Sequence, residues 1–199
     1  MPQLNKIRST RAVALLGALL AVVAPSPVEA AQPINIVAIA AASDGQGYVM
    51  AESDGVVWAY GSVGHHGDLR AQSLNQSIVG IEVTPSGRGY WLVASDGGVF
   101  AFGDADFFGS TGALRLNEPI ISLHSTPSGR GYRLFARDGG EFDFGDADFI
   151  ASVANRGVRF SAALQRPRGD GHWFVTASSG AAAATRRCRS FLRNGRCFR

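Results

Sequence analysis

One string of residues recurs along this chain at a nearly fixed interval, and it restricts the fold more than any other feature. Ile78 to Ser110 reads IVGIEVTPSGRGYWLVASDGGVFAFGDADFFGS, and Ile120 to Ser152 repeats it with light edits. A Gly-Tyr pair marks the phase at Gly47-Tyr48, Gly89-Tyr90 and Gly131-Tyr132. Gly171-His172 continues it, so the steps are 42, 42 and 40 residues. Units of this size are modules that stack on their neighbours, because none can bury its apolar faces alone.

Each unit predicts four short strands. Ile78–Val83 is the first, turned by Pro85-Ser86-Gly87. Tyr90–Ala94 is the second, closed by Asp96-Gly97, a dipeptide suited to the positive φ of a tight hairpin. Val99–Phe102 is the third, stopped by Gly103-Asp104. Phe107–Ser110 is the fourth, followed by a polar connection from Thr111 to Glu118. No segment carries the 3.6-residue period of a substantial helix. The second strand is apolar on both sides, with Tyr90, Leu92 and Ala94 pointing one way and Trp91 and Val93 the other. Tyr48-Val49-Met50-Ala51 and Trp173-Phe174-Val175 repeat the pattern. A sheet of that kind must be covered on both faces, as blades around a propeller axis are. The expected fold is all-β, a β-propeller or partial propeller of about three and a half four-stranded blades. A β-trefoil of three units is the alternative, and the partial fourth unit counts against it.

The ends differ from the middle. Lys6, Arg8 and Arg11 precede an apolar run from Ala12 to Ala24, then Pro25-Ser26-Pro27 and the small residues around Ala30. That order reads as a cleavable signal peptide over residues 1–30, and its apolar run is too short for a membrane-spanning helix. The expected location is secreted or at the cell envelope. The formal charge of +3 is a property of the ends: the leader contributes +2, the six arginines from Arg186 to Arg199 contribute +6, and Ala31–Thr185 carries −5. A nucleic-acid partner therefore has no basic folded surface to bind. The only lysine is Lys6, which removes Schiff-base chemistry and any Walker-type phosphate loop.

The string Gly89-Tyr-Trp-Leu-Val-Ala-Ser-Asp-Gly-Gly-Val-Phe-Ala-Phe-Gly-Asp-Ala105, followed by Gly109-Ser-Thr-Gly112, resembles a tandem repeat of secreted bacterial proteins. The likeness spans about Ile34 to Gly180. It implies propeller-like arrays, often joined to peptidase, amidase or glycan-hydrolase domains and in some members labelled esterase. It carries no active-site residues over to this chain, which shows few repeats and no enzyme-like segment beside them.

Candidate chemistry is sparse. Ser53-Asp54-Gly55 with Trp58, and Ser95-Asp96-Gly97 with Phe100, read as hairpin caps. Asp104, Asp106, Asp146 and Asp148 suggest a hard cation, yet the first unit has Ser62 and Gly64 there, and turn capping is the simpler reading. His65-His66 align with Phe107-Phe108 and lack further ligands at metal spacing. His124 and His172 read as packing or surface positions. Arg168-Gly169-Asp170 reads as a turn. No Gly-x-Ser-x-Gly, His-Glu-x-x-His or Gly-x-Gly-x-x-Gly motif occurs. No catalytic, cofactor-binding or metal-ligating residue is assigned. Among the aromatics Tyr48, Trp58, Tyr60, Tyr90, Trp91, Phe107 and Phe108, mostly core by alternation, any exposed ring is a stacking platform for a sugar or a partner side chain.

The C-terminus breaks the pattern. Where Gly145-Asp146-Ala147 predicts Gly-Asp-Ala near position 185, the chain has Arg186-Arg187-Cys188-Arg189. Codons for Gly-Asp-Ala read one base out of phase spell that string, which points to a frameshift near Gly180. On this reading the fourth unit lacks its outer strands, residues 181–199 are a disordered basic tail, and Cys188 and Cys197 are accidental. The other reading is a selected basic tail closed by a small disulfide. The function these features suggest is a non-catalytic scaffold or binding module with a protein or glycan partner at the envelope, and with self-association through blade faces. An esterase-like hydrolase with its site over the channel, and a remnant of a longer array without separate activity, are the alternatives.

Overall fold

The computed structural model describes residues 34–150, 152–154, 157–166, 171–176 and 182–186. The leader, Arg168-Gly169-Asp170, Cys188 and Cys197 lie outside the described residues. No described residue is helical. Among the described residues twelve strands form four antiparallel sheets of three, each sheet one repeat unit. The first holds β1 (Ile36–Ala41), β2 (Gly47–Glu52) and β3 (Val57–Gly61). The second holds β4 (Ile78–Val83), β5 (Gly89–Ala94) and β6 (Val99–Gly103). The third holds β7 (Ile120–Ser125), β8 (Gly131–Ala136) and β9 (Glu141–Gly145). The fourth holds β10 (Phe160–Gln165), β11 (Gly171–Thr176) and β12 (Ala182–Arg186).

The central strands β2, β5, β8 and β11 are hydrogen-bonded on both sides, so their side chains alternate between the two faces of the sheet, and in β5 and β8 both faces meet a neighbouring sheet. Val49 and Ala51 of the first sheet pack on Tyr90, Leu92 and Ala94 of the second. Trp91 and Val93 on the opposite face of the second pack on Tyr132, Leu134 and Ala136 of the third. Phe135 of the third packs on Phe160, Ala163 and Phe174 of the fourth. The opening strands β1, β4, β7 and β10 lie side by side in that order. Each carries a bulge near its start, between Ile36 and Ala38, Ile78 and Gly80, Ile120 and Ser122, and Phe160 and Ala162. A bulge at one fixed position bends and twists every unit alike.

The hairpin chemistry is as the sequence suggests. Gly97 has φ +82°, and a Cβ there would overlap Thr111 Oγ1, so both conformation and space demand glycine. The fourth strand expected at Phe107–Ser110 is absent; the segment is irregular. Its polar backbone is satisfied in another way. Trp91 Nε1 donates to the Asp106 carbonyl at 2.8 Å, Phe108 N donates to Tyr132 Oη at 3.1 Å, and Tyr132 Oη donates to the Gly109 carbonyl at 2.6 Å. Side chains of its own unit and the next take the place of a ladder. The trefoil alternative fails because no described strand is hydrogen-bonded to a strand of another unit, as a shared barrel requires. The expected loss of the fourth unit's outer strands is also corrected. β12 pairs with β11 from Gly171↔Arg186 to Val175↔Ala182. Strand pairing uses backbone groups, so Ala182–Arg186 serves without the apolar residues of the other third strands.

Tyr132→Phe is expected to cost about 1–3 kcal/mol, because the Gly109 carbonyl loses its hydroxyl donor and the Phe108 amide its acceptor. Tyr48→Phe, in the same repeat position but half exposed, is expected to stay within about 0.5 kcal/mol. Urea unfolding of the two variants checks the contrast.

Candidate functional site

The aspartates singled out in the sequence, and Asp138 and Asp44 in corresponding turns, are structural ties. Asp54, Asp96 and Asp138 accept the backbone N–H two residues on, from Val56, Gly98 and Gly140. Asp104 accepts from Thr84 Oγ1 at 2.9 Å and Ser86 Oγ at 2.6 Å, and Asp146 repeats this with Thr126 and Ser128. The Ser86 hydroxyl, against some burial and with help from Thr84 and Arg88, holds the Asp104 carboxyl below its ordinary range. In the first unit the pair is exchanged: Ser62 Oγ donates to Asp44 Oδ1 at 3.0 Å, the carboxylate standing where later units have serine. Asp106 and Asp148 contribute main-chain carbonyls, to Trp91 and Arg133 respectively. Among the described residues no three His, Cys, Asp or Glu side chains gather as metal ligands would.

His66 occupies the place of Phe108. Its amide donates to Tyr90 Oη at 3.0 Å and its ring lies 5.9 Å from the Tyr90 ring, so it packs as the phenylalanine does. Tyr90 Oη in turn donates to the Gly67 carbonyl. His65 lies 3.6 Å from Asp68 at the surface.

Between the third and fourth sheets the repeat changes character, and no sequence motif marks the change. Arg133 stands where Trp91 stands in the unit before, Glu141 where Val99 stands, Asp143 where Ala101 stands, and His172 where tyrosine stands. All four are buried or nearly so. Arg133 Nε lies 3.1 Å from Asp143 Oδ1 and 3.5 Å from Glu141 Oε1. Arg133 Nη2 donates to the Asp148 carbonyl at 2.9 Å and Nη1 to Gln165 Oε1 at 3.0 Å. The guanidinium thus reproduces the bond that the indole of Trp91 makes. Ile150 N, which in the unit before would meet a tyrosine hydroxyl, lies 3.4 Å from Glu141 Oε1. Burial pushes the Asp143 carboxyl up despite Arg133. Burial, with the charges of Arg133 and His124, lowers His172 to about 4.

Gln165, which accepts from Arg133, also lines a groove of about 330 Å³ with Glu82, His124, Ser125 and Arg166. His124 Nδ1 lies 3.7 Å from Glu82 Oε2, and Nε2 lies 2.8 Å from the Ala163 carbonyl. Burial opposes its charged form, but Glu82 outweighs it and raises the pKa. Ser125 Oγ points to Glu82 at 3.2 Å rather than to the imidazole, so these groups form no nucleophile–base pair.

Three exposed aromatics, Tyr48, Trp58 and Tyr60, gather on the first sheet. Its outer face gathers Ile36, Ile39, Tyr48, Met50, Trp58 and Tyr60, because Tyr48 pairs with Ala41 and Tyr60, and Met50 with Ile39 and Trp58. Tyr48 and Tyr60 stack with ring centroids 5.1 Å apart, and Trp58 Nε1 donates to Glu52 Oε1 at 2.7 Å. A depression of about 650 Å³ runs over Ile39, Gln46, Tyr48 and Tyr60. In the second sheet the same face is buried. Tyr48 is 40% exposed against 0% for Tyr90, and Ile39 64% against 6% for Ile81. Tyr90 and Trp91 are core, Phe107 is exposed, and Phe108 packs against Tyr132.

No family model matches the chain, and no curated protein matches it. Among solved structures it is similar to the β-propeller domain of Cps50 (Swd1) from Myceliophteria thermophila, with 12% identity and a TM-score of 0.47 over 71% of this chain. The chain spans about half of that domain's length, 49%.

His172 gives the seam a pH dependence of definite sign. Its native pKa lies below the ordinary 6.5, so as pH falls the unfolded chain takes up the proton first. The stability it contributes is complete above pH 6.5 and is lost as pH falls toward 4, by about 3 kcal/mol in all. Thermal melts of His172→Phe should show a shallower acid loss than the parent over that window. Equal slopes would refute the assignment.

Proposed function

We propose that this chain is an exported repeat protein of the tandem Gly-Tyr-Trp-Leu-Val-Ala-Ser-Asp-Gly-Gly type, folded as an arc of four propeller blades. It acts as a non-catalytic binding or scaffold module at the cell envelope. One observation supports this reading above all: the outer face of the first sheet presents Ile36, Ile39, Tyr48, Trp58 and Tyr60 to solvent, whereas the same face of the second sheet is core. A contiguous apolar patch carrying rigid aromatic rings marks a contact surface on a folded protein. Stacked tyrosines with a tethered indole suit a protein side chain or the apolar face of a sugar ring. In the polar seam Glu141 and Asp143 both lie against Arg133, and Ser125 Oγ donates to Glu82.

The protein produced from the full sequence is expected to bind isolated cell-envelope material, and Tyr48→Ser with Tyr60→Ser to reduce that binding without lowering the melting temperature. It is expected to leave short-chain nitrophenyl esters and peptidoglycan intact. Robust turnover abolished by a single Ser→Ala change would overturn the scaffold reading.

A further inference from the structure

The joint between sheets is built three times among the described residues, and half of it is exposed on the outer face of the first sheet and half on that of the fourth. In every joint the face bearing Tyr90, Tyr132 or His172 closes on the face of the preceding sheet that bears Val49, Trp91 or Arg133. The first sheet leaves the tyrosine half uncovered. The fourth leaves the other half uncovered, with Trp173 opposite Leu164 and Val175 opposite Ala162 on one face. Trp173 is 41% exposed, whereas Trp91 at the same repeat position is wholly buried. Both halves are exposed in one chain, so the fourth sheet does not cover the first. One charged group of opposite sign stands beside an indole on each face: Glu52 accepts from the Trp58 indole on one, and Arg166 lies 5.9 Å over the Trp173 ring on the other.

We infer that two copies of this chain close head to tail, the first sheet of each packing on the fourth sheet of the other. The inference rests on reading the first sheet's outer face as a binding surface, and it names the occupant. Each intermolecular joint continues the interface that already holds the four sheets together. Four sheets from each copy make eight, the upper end of the range of about 4–8 blades in propellers. A head-to-tail contact made twice around a twofold axis closes and leaves no apolar face open.

The test uses the protein produced from the full sequence and measures mass in solution over a concentration series. The parent is expected to be a dimer. Ile39→Asp, which blocks only the first sheet, and Leu164→Asp, which blocks only the fourth, are each expected to weaken self-association by at least about 30-fold. An equimolar mixture of the two is expected to recover a dimer, since one unblocked face of each kind remains. That recovery also shows that both variants are folded. A parent monomeric at tens of micromolar overturns the inference, as does a Leu164→Asp variant that still dimerises alone, which would mean that first sheets pair with each other. An open-ended ladder of oligomers overturns the two-copy ring. If the parent is monomeric yet loses envelope binding on Tyr48→Ser with Tyr60→Ser, this inference fails while the proposed function stands. If neither is observed, both fail.

Discussion

A three-stranded sheet whose central strand is apolar on both faces cannot exist alone in water, and every other feature of this protein answers to that fact. Tyr90 and Leu92 need one neighbour while Trp91 and Val93 need another. Fully burying side chains of this size is worth about 2–3 kcal/mol each, so an uncovered sheet forfeits much of its stability. The solution repeats: a face carrying a ring column meets the reverse face of the sheet before it. The tyrosine does more than fill space. Its hydroxyl crosses the joint and occupies the irregular segment of the preceding unit, as Tyr90 does at Gly67 and Tyr132 at Gly109. Packing and hydrogen bonding then select the same alignment, which gives each joint one geometry.

The joint tolerates a large change of chemistry when its partners change together. Arg133 replaces an indole and donates to the equivalent carbonyl, and Glu141 reaches the Ile150 amide at the joint where histidine replaces tyrosine. Such a seam gives up hydrophobic burial and must offset the desolvation of its charges through close contacts. The exchange of Asp44–Ser62 for Ser86–Asp104 is the surface counterpart: donor and acceptor trade strands while the tie persists. What is preserved between units is the contact, not the residue.

Much of the fold is legible in the residues. Glycine and aspartate at fixed offsets mark the turns, and alternation without polar relief on Tyr90–Ala94 announces a sheet covered on both sides. The fourth strand misled because Phe107 and Phe108 have strand-like composition, whereas the groups that capture this segment, Trp91 of the same hairpin and Tyr132 of the next unit, lie far along the chain. The seam was visible only as departures from repeat columns at Arg133, Glu141, Asp143 and His172. Each looks like an isolated substitution until the sheets bring them within bonding distance.

The sequence by itself determined the period, the strand positions, the turn chemistry and the need for cover on both faces of each unit, because these are local consequences of residue type and alternation. Only the tertiary structure decided which unit covers which face, which tyrosine is core and which is surface, and where four ionisable groups meet. The repeat gives Tyr48 and Tyr90 equivalent positions along the chain. They differ because one sheet stands before the second and the outer face of the first is left open. Burial is a property of neighbours in space, and that information is absent from a pattern that reads the same in every unit.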